Sequence, residues 1–286
     1  MRAACRSSVV DLRDLADRLA ALAAEHTGPR AILLTGSVAR GDADEYSDVD
    51  LILYYDALPD EAGRESIRTG IGGGDRQVLG AEEAGFVEQY VVKATYCQLA
   101  HVTVERWEDE LAKAVAGEES ELPLGKMVSG LFEGEALYGG ELIDAWRARA
   151  VHSHALKRTL VERHWTFFPL WFFERSFPPR DAPIFTREEL VKAAYALLDV
   201  LAAVNGVWFS RFQLKRTRDA TEKLAVKPER LYERLLVLVS GELTAAVLGL
   251  ESLVDETQAI VAEYVPDAEI VLARPIGARQ EPRLAP

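Results

Sequence analysis

The sequence has little cysteine and no long apolar run. Only Cys5 and Cys97 occur among its 286 residues, which excludes a disulfide framework and a metal site built from thiolates. A membrane-spanning helix needs about 18 or more consecutive apolar residues, and no such stretch is present. The N-terminal residues also lack the apolar core of a secretory signal. We therefore expect a cytoplasmic protein without a membrane segment.

Basic residues are outnumbered by acidic ones. The chain has 33 Lys and Arg against 46 Asp and Glu, a formal net charge of −13. Affinity for nucleic acid comes mainly from Lys and Arg on phosphates, so the charge makes nucleic acid an unlikely partner. It favours a cationic small molecule weakly, because an acidic surface also keeps a protein soluble.

The patterning of apolar residues changes along the chain. Helical and strand patterns alternate up to about residue 120, and this alternation predicts an α/β (α+β) domain with a short mixed sheet over residues 1–120. From residue 122 the apolar spacing is helical with no clear strand, which predicts a helical domain over 121–270. We expect a loosely ordered tail at 271–286. The predicted strands are AILLTG, DVDLILYY, FVEQYVV and TYCQLAHVTV, the last two paired, and a helix follows near Glu105.

Two aspartates interrupt the apolar strand DVDLILYY. Asp48 and Asp50 are two residues apart, so on a strand they project from the same face about 7 Å from each other. Two such carboxylates repel unless a cation lies between them. Mg²⁺ commonly takes one or two protein carboxylates together with substrate phosphates. We therefore predict that Asp48 and Asp50 hold Mg²⁺.

A glycine and a serine precede this strand. Gly36 and Ser37 fall where the strand AILLTG gives way to a predicted helix. Glycine lets the backbone turn sharply and approach a ligand closely, and helix N-terminal amides with a hydroxyl bind anions. An anion site facing a metal site is typical of a pocket that binds a nucleoside triphosphate. It suggests in-line displacement at phosphorus.

These residues resemble a known signature. Gly36-Ser37, ten intervening residues and Asp48-Val49-Asp50-Leu51 resemble the motif of the DNA polymerase β-like nucleotidyltransferase superfamily. The stretch GSVARGDADEYSDVDL is most similar to small bacterial enzymes that include aminoglycoside, lincosamide and antitoxin-type nucleotidyltransferases. The resemblance implies transfer of a nucleoside monophosphate, usually AMP from ATP, to an acceptor hydroxyl, with Mg²⁺ and release of pyrophosphate.

Two further residues complete the candidate nucleotide site. Arg40 follows the helix start, where it either meets a phosphate or is a surface arginine that steadies the loop. Ser47 directly precedes the first aspartate and is expected to orient that loop.

The resemblance also implies a third carboxylate on a later strand. In TYCQLAHVTV the corresponding positions are Gln98 and Ala100, which are not acidic. Glu88 on the preceding strand is the candidate replacement, because strand alternation places it on one face with apolar neighbours. His101 would point to the face opposite Gln98, and we interpret it as structural.

A second segment of resemblance lies in the helical half. An asparagine, an aromatic residue and a lysine sit close together there in related bacterial enzymes, and here these are Asn205, Trp208 or Phe209, and Lys215. The resemblance implies that Lys215 reaches the triphosphate. The alternative is that Lys215 belongs to a solvated helical face.

Three functions remain compatible with the sequence. The first is transfer of AMP from ATP to a small-molecule acceptor. The second is modification of a protein or an RNA end, as in toxin–antitoxin nucleotidyltransferases, although the charge disfavours RNA. The third is a non-catalytic nucleotide-binding or interaction protein of the same fold. The sequence leaves the acceptor and the oligomeric state open.

Overall fold

The chain folds into two compact units, Met1–Val151 and His152–Pro286. The computed structural model describes residues 11–82, 85–118, 124–167, 170–175, 181–210 and 215–271. The first unit contains a mixed six-stranded sheet with helices, and the described part of the second contains helices. This confirms the predicted fold class. The predicted domain boundaries, including the tail from residue 271, stay a prediction.

The first unit begins with a helix and then builds its sheet. Its strands are β1 (Ala31–Thr35), β2 (Val49–Tyr55), β3 (Gln77–Glu82), β4 (Gly85–Val92), β5 (Thr95–Thr103) and β6 (Glu135–Tyr138). Its helices are α1 (Leu12–Thr27), α2 (Gly36–Arg40), α3 (Glu61–Ile71), α4 (Val104–Ala116), α5 (Leu124–Glu133) and α6 (Gly140–Arg149).

The second unit is described as helices around an apolar core. They are α7 (His154–His164), α8 (Leu170–Arg175), α9 (Pro183–Asn205), α10 (Thr217–Glu222), α11 (Leu231–Ser240) and α12 (Leu243–Tyr264). The long helix α9 is its central element, since Leu190, Leu197 and Leu201 are fully buried among side chains of α7, α11 and α12. Within the described residues, no helix combines the length and the apolar character needed to cross a membrane.

The sheet has the strand order β3-β4-β5-β2-β1-β6. The β2–β5 pair is parallel and the other neighbouring pairs are antiparallel. The strand β2 therefore has β1 on one side and β5 on the other. The sheet places the end of β1, the start of β2 and the start of β5 next to one another.

The alternation along β2 separates two faces of the sheet. Val49, Leu51 and Leu53 are buried against α1 and α3, with Leu15 and Leu19 of α1 in the same cluster. Burying each such side chain contributes about 1.5–3 kcal/mol. We call this side the core face. Asp50 lies between these residues in the alternation and therefore on the opposite side, which we call the Asp50 face.

Two edge strands were not predicted from the sequence. The prediction that no strand follows residue 122 is wrong, because β6 pairs with β1 at one edge of the sheet. The strand β3 pairs with β4 at the other edge. A strand of four residues such as β6 is too short to express an alternating pattern, and its pairing with β1 is a tertiary contact.

Candidate active site

The turn from β1 into α2 lies directly against Asp50. Gly36 has φ +73°, and a Cβ atom built on it would lie 2.6 Å from Asp50 Oδ2. Real Cβ atoms essentially never approach another heavy atom so closely, and a positive φ also disfavours residues other than glycine. The glycine thus makes room for the carboxylate, so the predicted phosphate-binding turn and the predicted metal carboxylate are in contact.

Asp48 and Asp50 lie at the start of β2. Asp50 is its second residue and pairs with Thr35 of β1 and Gln98 of β5, while Asp48 directly precedes the strand. Both side chains are partly exposed. Burial, together with the charges of Asp48 and Asp50, raises the pKa of the Cys97 thiol to about 12. Both negative charges therefore act at the same end of β5, where a bound cation would lower their repulsion.

The loop before β2 is fastened by Ser47. Its hydroxyl accepts a hydrogen bond from the Asp44 amide at 2.8 Å and donates to Asp44 Oδ1 at 3.1 Å. The Ser47 amide also donates to the Asp44 carbonyl at 3.1 Å. These contacts fix the turn of the loop that leads into Asp48. A contact of Ser47 with a nucleotide stays a prediction.

Arg40 is engaged in two ion pairs. Its guanidinium lies 3.3 Å from Asp42 and 3.6 Å from Glu133 at the end of α5. The side chain is about 30% exposed, so a phosphate could share it only by competing with these carboxylates. The structure thus places Arg40 at the end of α2, close to the turn formed by Gly36 and Ser37 (the GS turn), in contacts that steady the loop. Its contact with a phosphate stays a prediction.

Glu88 is not on the same face of the sheet as Asp50. It pairs with Leu99 of β5, and Leu99 pairs with Leu51, so Glu88 points to the core face. Glu88 is 1% exposed. Arg64 Nη1 donates to its carboxylate at 2.6 Å, and Arg76 lies 3.7 Å away. These contacts give Glu88 a structural role in holding α3 to the sheet, and they do not bring it to Asp48 and Asp50.

His101 lies in the same buried cluster as Glu88. Its Nδ1 is hydrogen-bonded to the Tyr55 hydroxyl at 3.1 Å, and its ring stacks on Tyr55 and Phe86. Burial, with the nearby positive charges of Arg64 and Arg76, lowers the pKa of His101 to about 3. The imidazole is therefore neutral at neutral pH, and its contacts are those of a structural residue.

The side chain beside Asp50 on β5 is an amide. Gln98 pairs with Asp50 across the parallel ladder, and Gln89 of β4 pairs with Gln98. Gln98 Nε2 donates to Gln89 Oε1 at 3.0 Å. Gln77 of β3 continues the row as the partner of Gln89. Sequence reasoning did not find this row, because the register between β2 and β5 is a tertiary property. Its only signal was the absence of an acid in TYCQLAHVTV.

The carboxylates present are compatible with Mg²⁺. Among the described residues, no three His, Cys, Asp or Glu side chains form a group that could hold a metal ion by themselves. A pair of aspartates suits Mg²⁺, which keeps several waters and completes its shell with substrate phosphates. Oxygen donors that are partly exposed and adjacent to a glycine turn fit such an ion.

The residues predicted in the helical half lie in the second unit. Lys215 lies two residues before α10 and its side chain is exposed. Asn205 ends α9, and its side-chain amide exchanges two hydrogen bonds with the backbone of Val226, each 2.8 Å long. Asn205 thus ties the segment after α10 to the end of α9. The assignment of Lys215 to the triphosphate stays a prediction.

Residues 14–119 match the family model of the nucleotidyltransferase domain. The matched stretch runs from α1 to just beyond α4 and contains the GS turn, Asp48, Asp50 and the amide row. This part of the chain is therefore similar to nucleotidyltransferase domains, and the similarity supports nucleotide transfer as the general reaction. No curated protein matches the chain.

Two solved structures resemble the chain weakly. A nucleotidyltransferase-like protein from Exiguobacterium sibiricum 255-15 is 14% identical, with 86% of this chain and 74% of that chain covered and a TM-score of 0.39. A cytoplasmic RNA terminal U-transferase is 17% identical, with 80% of this chain and 61% of that chain covered and a TM-score of 0.27. Similarity at this level carries no argument about the acceptor.

Proposed function

We propose that the chain is a nucleotidyltransferase that transfers AMP from ATP to a hydroxyl of a small-molecule acceptor and releases pyrophosphate. The observation that carries the proposal is the contact between Gly36 and Asp50. This contact supports the proposal that the phosphate-binding turn and the metal-binding carboxylate act on the same phosphate group. The matched nucleotidyltransferase domain supports the same reaction class.

Each residue of the proposed site has a defined task. The backbone at Gly36 and Ser37 would bind the phosphates of the nucleotide, since helix N-terminal amides favour anions. Asp48 and Asp50 would hold Mg²⁺, which supplies charge stabilisation for the phosphoryl group when it is bound. Lys215 would neutralise the leaving pyrophosphate, a charge-assisted contact that lysine makes readily.

The acceptor class in this proposal rests on the resemblance of GSVARGDADEYSDVDL to small-molecule nucleotidyltransferases. The net charge of −13 favours a cationic acceptor over RNA, because a polyanion would be repelled. Labelling of a cell lysate with radiolabelled ATP distinguishes the acceptors: label in the small-molecule fraction supports the proposal, whereas label on protein or RNA points to a macromolecular acceptor.

The first experiment uses substitutions of the two aspartates. Asp48→Asn and Asp50→Asn are expected to lower Mg²⁺-dependent release of pyrophosphate from ATP by about a hundred- to a thousandfold, the usual loss when one group that stabilises transition-state charge is removed. Thermal unfolding should change little, because both side chains are partly exposed.

Asp56→Asn is the matched control. Asp56 follows the other end of β2 and forms an exposed ion pair with Arg30, so the same chemical change there should leave pyrophosphate release intact. Normal activity in Asp48→Asn or Asp50→Asn would refute the proposed metal role. Binding of ATP without pyrophosphate release for any acceptor would indicate a non-catalytic nucleotide-binding protein.

A further inference from the structure

The sheet places a row of uncharged amides beside the proposed metal site. In register, Asp50 of β2 is followed by Gln98 of β5, Gln89 of β4 and Gln77 of β3. Residues directly opposite each other in a ladder share a face, so the three amides lie on the Asp50 face. Neighbouring strands are about 4.8 Å apart, which makes Gln98 the immediate neighbour of Asp50 and puts Gln77 about 14 Å away.

The amide of Gln98 is directed along this row. Its Nε2 donates to Gln89 Oε1 at 3.0 Å, and β4 lies on the side of β5 away from β2. Gln98 is partly buried, so the hydrogen bond also satisfies a polar group that would otherwise be costly to leave without a partner. The pair fixes a neutral side chain at the position of β5 directly opposite Asp50, where a carboxylate would increase the negative charge beside Asp50.

We propose that Gln98 sets the charge of the metal site, so that the chain binds a divalent ion weakly alone and tightly only together with a nucleoside triphosphate. This inference rests on the proposed function, in which Asp48 and Asp50 hold the ion. Two carboxylates leave several positions of a Mg²⁺ shell to water or phosphate oxygens. A third carboxylate at position 98 would strengthen binding of the free ion and repel the triphosphate.

The test measures the affinity of the protein for Mn²⁺ in the absence of nucleotide. The electron paramagnetic resonance signal of the unbound ion gives the fraction that is bound. Gln98→Glu is expected to raise the affinity for Mn²⁺ about ten- to thirtyfold, the size expected for one added negative charge close to a divalent cation in a water-like dielectric. Gln98→Met removes the hydrogen bond to Gln89 without adding charge. The affinity for Mn²⁺ should stay within about twofold of wild type, because the charges around the ion are unchanged.

Gln77→Glu is the matched control for added charge. It introduces the same group in the same row, but about 14 Å from Asp50 and beyond the Debye length of about 8 Å at physiological salt, so Mn²⁺ affinity should not change. Equal effects of Gln98→Glu and Gln77→Glu, or no effect of either, would overturn the inference. If Gln98→Glu does not fold, Gln98→Asp provides the same comparison.

A second measurement separates this inference from the proposed function. Binding of a nonhydrolysable ATP analogue in the presence of Mn²⁺ is compared between wild type and Asp50→Asn. Loss of analogue binding in Asp50→Asn supports the proposed function, and this result does not depend on the Mn²⁺ affinities of the variants at position 98. Equal analogue binding in both proteins contradicts the proposed function, and the comparison of Gln98→Glu with Gln77→Glu then still decides whether position 98 controls ion affinity.

Discussion

Asp50 and Glu88 lie two strands apart in one sheet and on opposite faces. Glu88 is buried on the core face, where Arg64 and Arg76 surround its carboxylate. Asp50 is partly exposed on the other face, between the Gly36 turn and the amide of Gln98. A buried carboxylate with its own cations serves the fold, whereas a partly exposed one beside a glycine turn can take a ligand. The position of a carboxylate, rather than its presence in the right segment, decides what it does.

Among the substitutions that test this comparison, we expect the largest effect from Gly36→Ala, which displaces the Asp50 carboxylate. In Gly36→Ala the added Cβ must displace the Asp50 carboxylate, and a misplacement of about 1 Å can lower a rate roughly a hundredfold. The positive φ costs a further 1–2 kcal/mol of stability, approximately. Pyrophosphate release and thermal unfolding measure the two effects separately.

Gly41→Ala is the control for this substitution. Gly41 has φ +74° and no atom within 4 Å of a built Cβ, so it shares the backbone strain without the collision. Gly41→Ala should lose stability and keep its activity. Equal loss of activity in both variants would mean that backbone strain, not the displaced carboxylate, explains the result.

The next effect concerns the other face. Glu88→Gln leaves Arg64 and Arg76 near an uncharged partner, and breaking a buried ion pair commonly costs about 3 kcal/mol or more. The melting temperature should fall by several degrees. Binding of the ATP analogue, measured at a temperature where the variant is still folded, should be retained. Calorimetric unfolding and analogue titration check the two expectations.

Glu61→Gln serves as the matched control for Glu88. Glu61 contacts the same two arginines but is about 65% exposed, so its loss should shift the melting temperature little, as for most exposed pairs. A Glu88→Gln protein that melts like wild type but has lost transfer activity would instead identify Glu88 as the third acid.

The last prediction is a pH dependence of stability. The folded protein holds His101 with a pKa of about 3, whereas an unfolded histidine titrates near 6.5. Between these values the unfolded state binds more protons, so the contribution of His101 is full above about pH 6.5 and is lost as the pH falls toward 3. His101→Asn, which does not titrate, should flatten the rise in melting temperature over this range. An unchanged slope would show that other groups govern it.

The sequence was sufficient for the parts of the fold that are local. The Gly36-Ser37 turn, the helix after it and the aspartates of β2 follow from short patterns of glycine, apolar and acidic residues, and β4 and β5 follow from alternation. Their pairing was also predictable, because only a two-residue turn separates them.

The rest depended on pairing between distant segments. The edge strands β3 and β6 carry too weak a pattern to be recognised alone. The sequence of β4 alone does not show which face of the sheet Glu88 occupies. Phe86 and Tyr90 share a face with Glu88, but they do not indicate which helices cover that face. Only the register of β4, β5 and β2 shows that Gln98, and not Glu88, is the neighbour of Asp50.

The parallel pairing of β2 with β5 also has a consequence for folding kinetics. Thr35 and Asp50 are 15 residues apart, so the contact between the Gly36 turn and Asp50 closes a short loop. Gln98 joins Asp50 only through a ladder that links segments about 50 residues apart, a non-local contact of the kind that slows folding. We therefore expect the turn and its carboxylate to meet early, while the neutral amide beside them arrives with the last strands of the sheet.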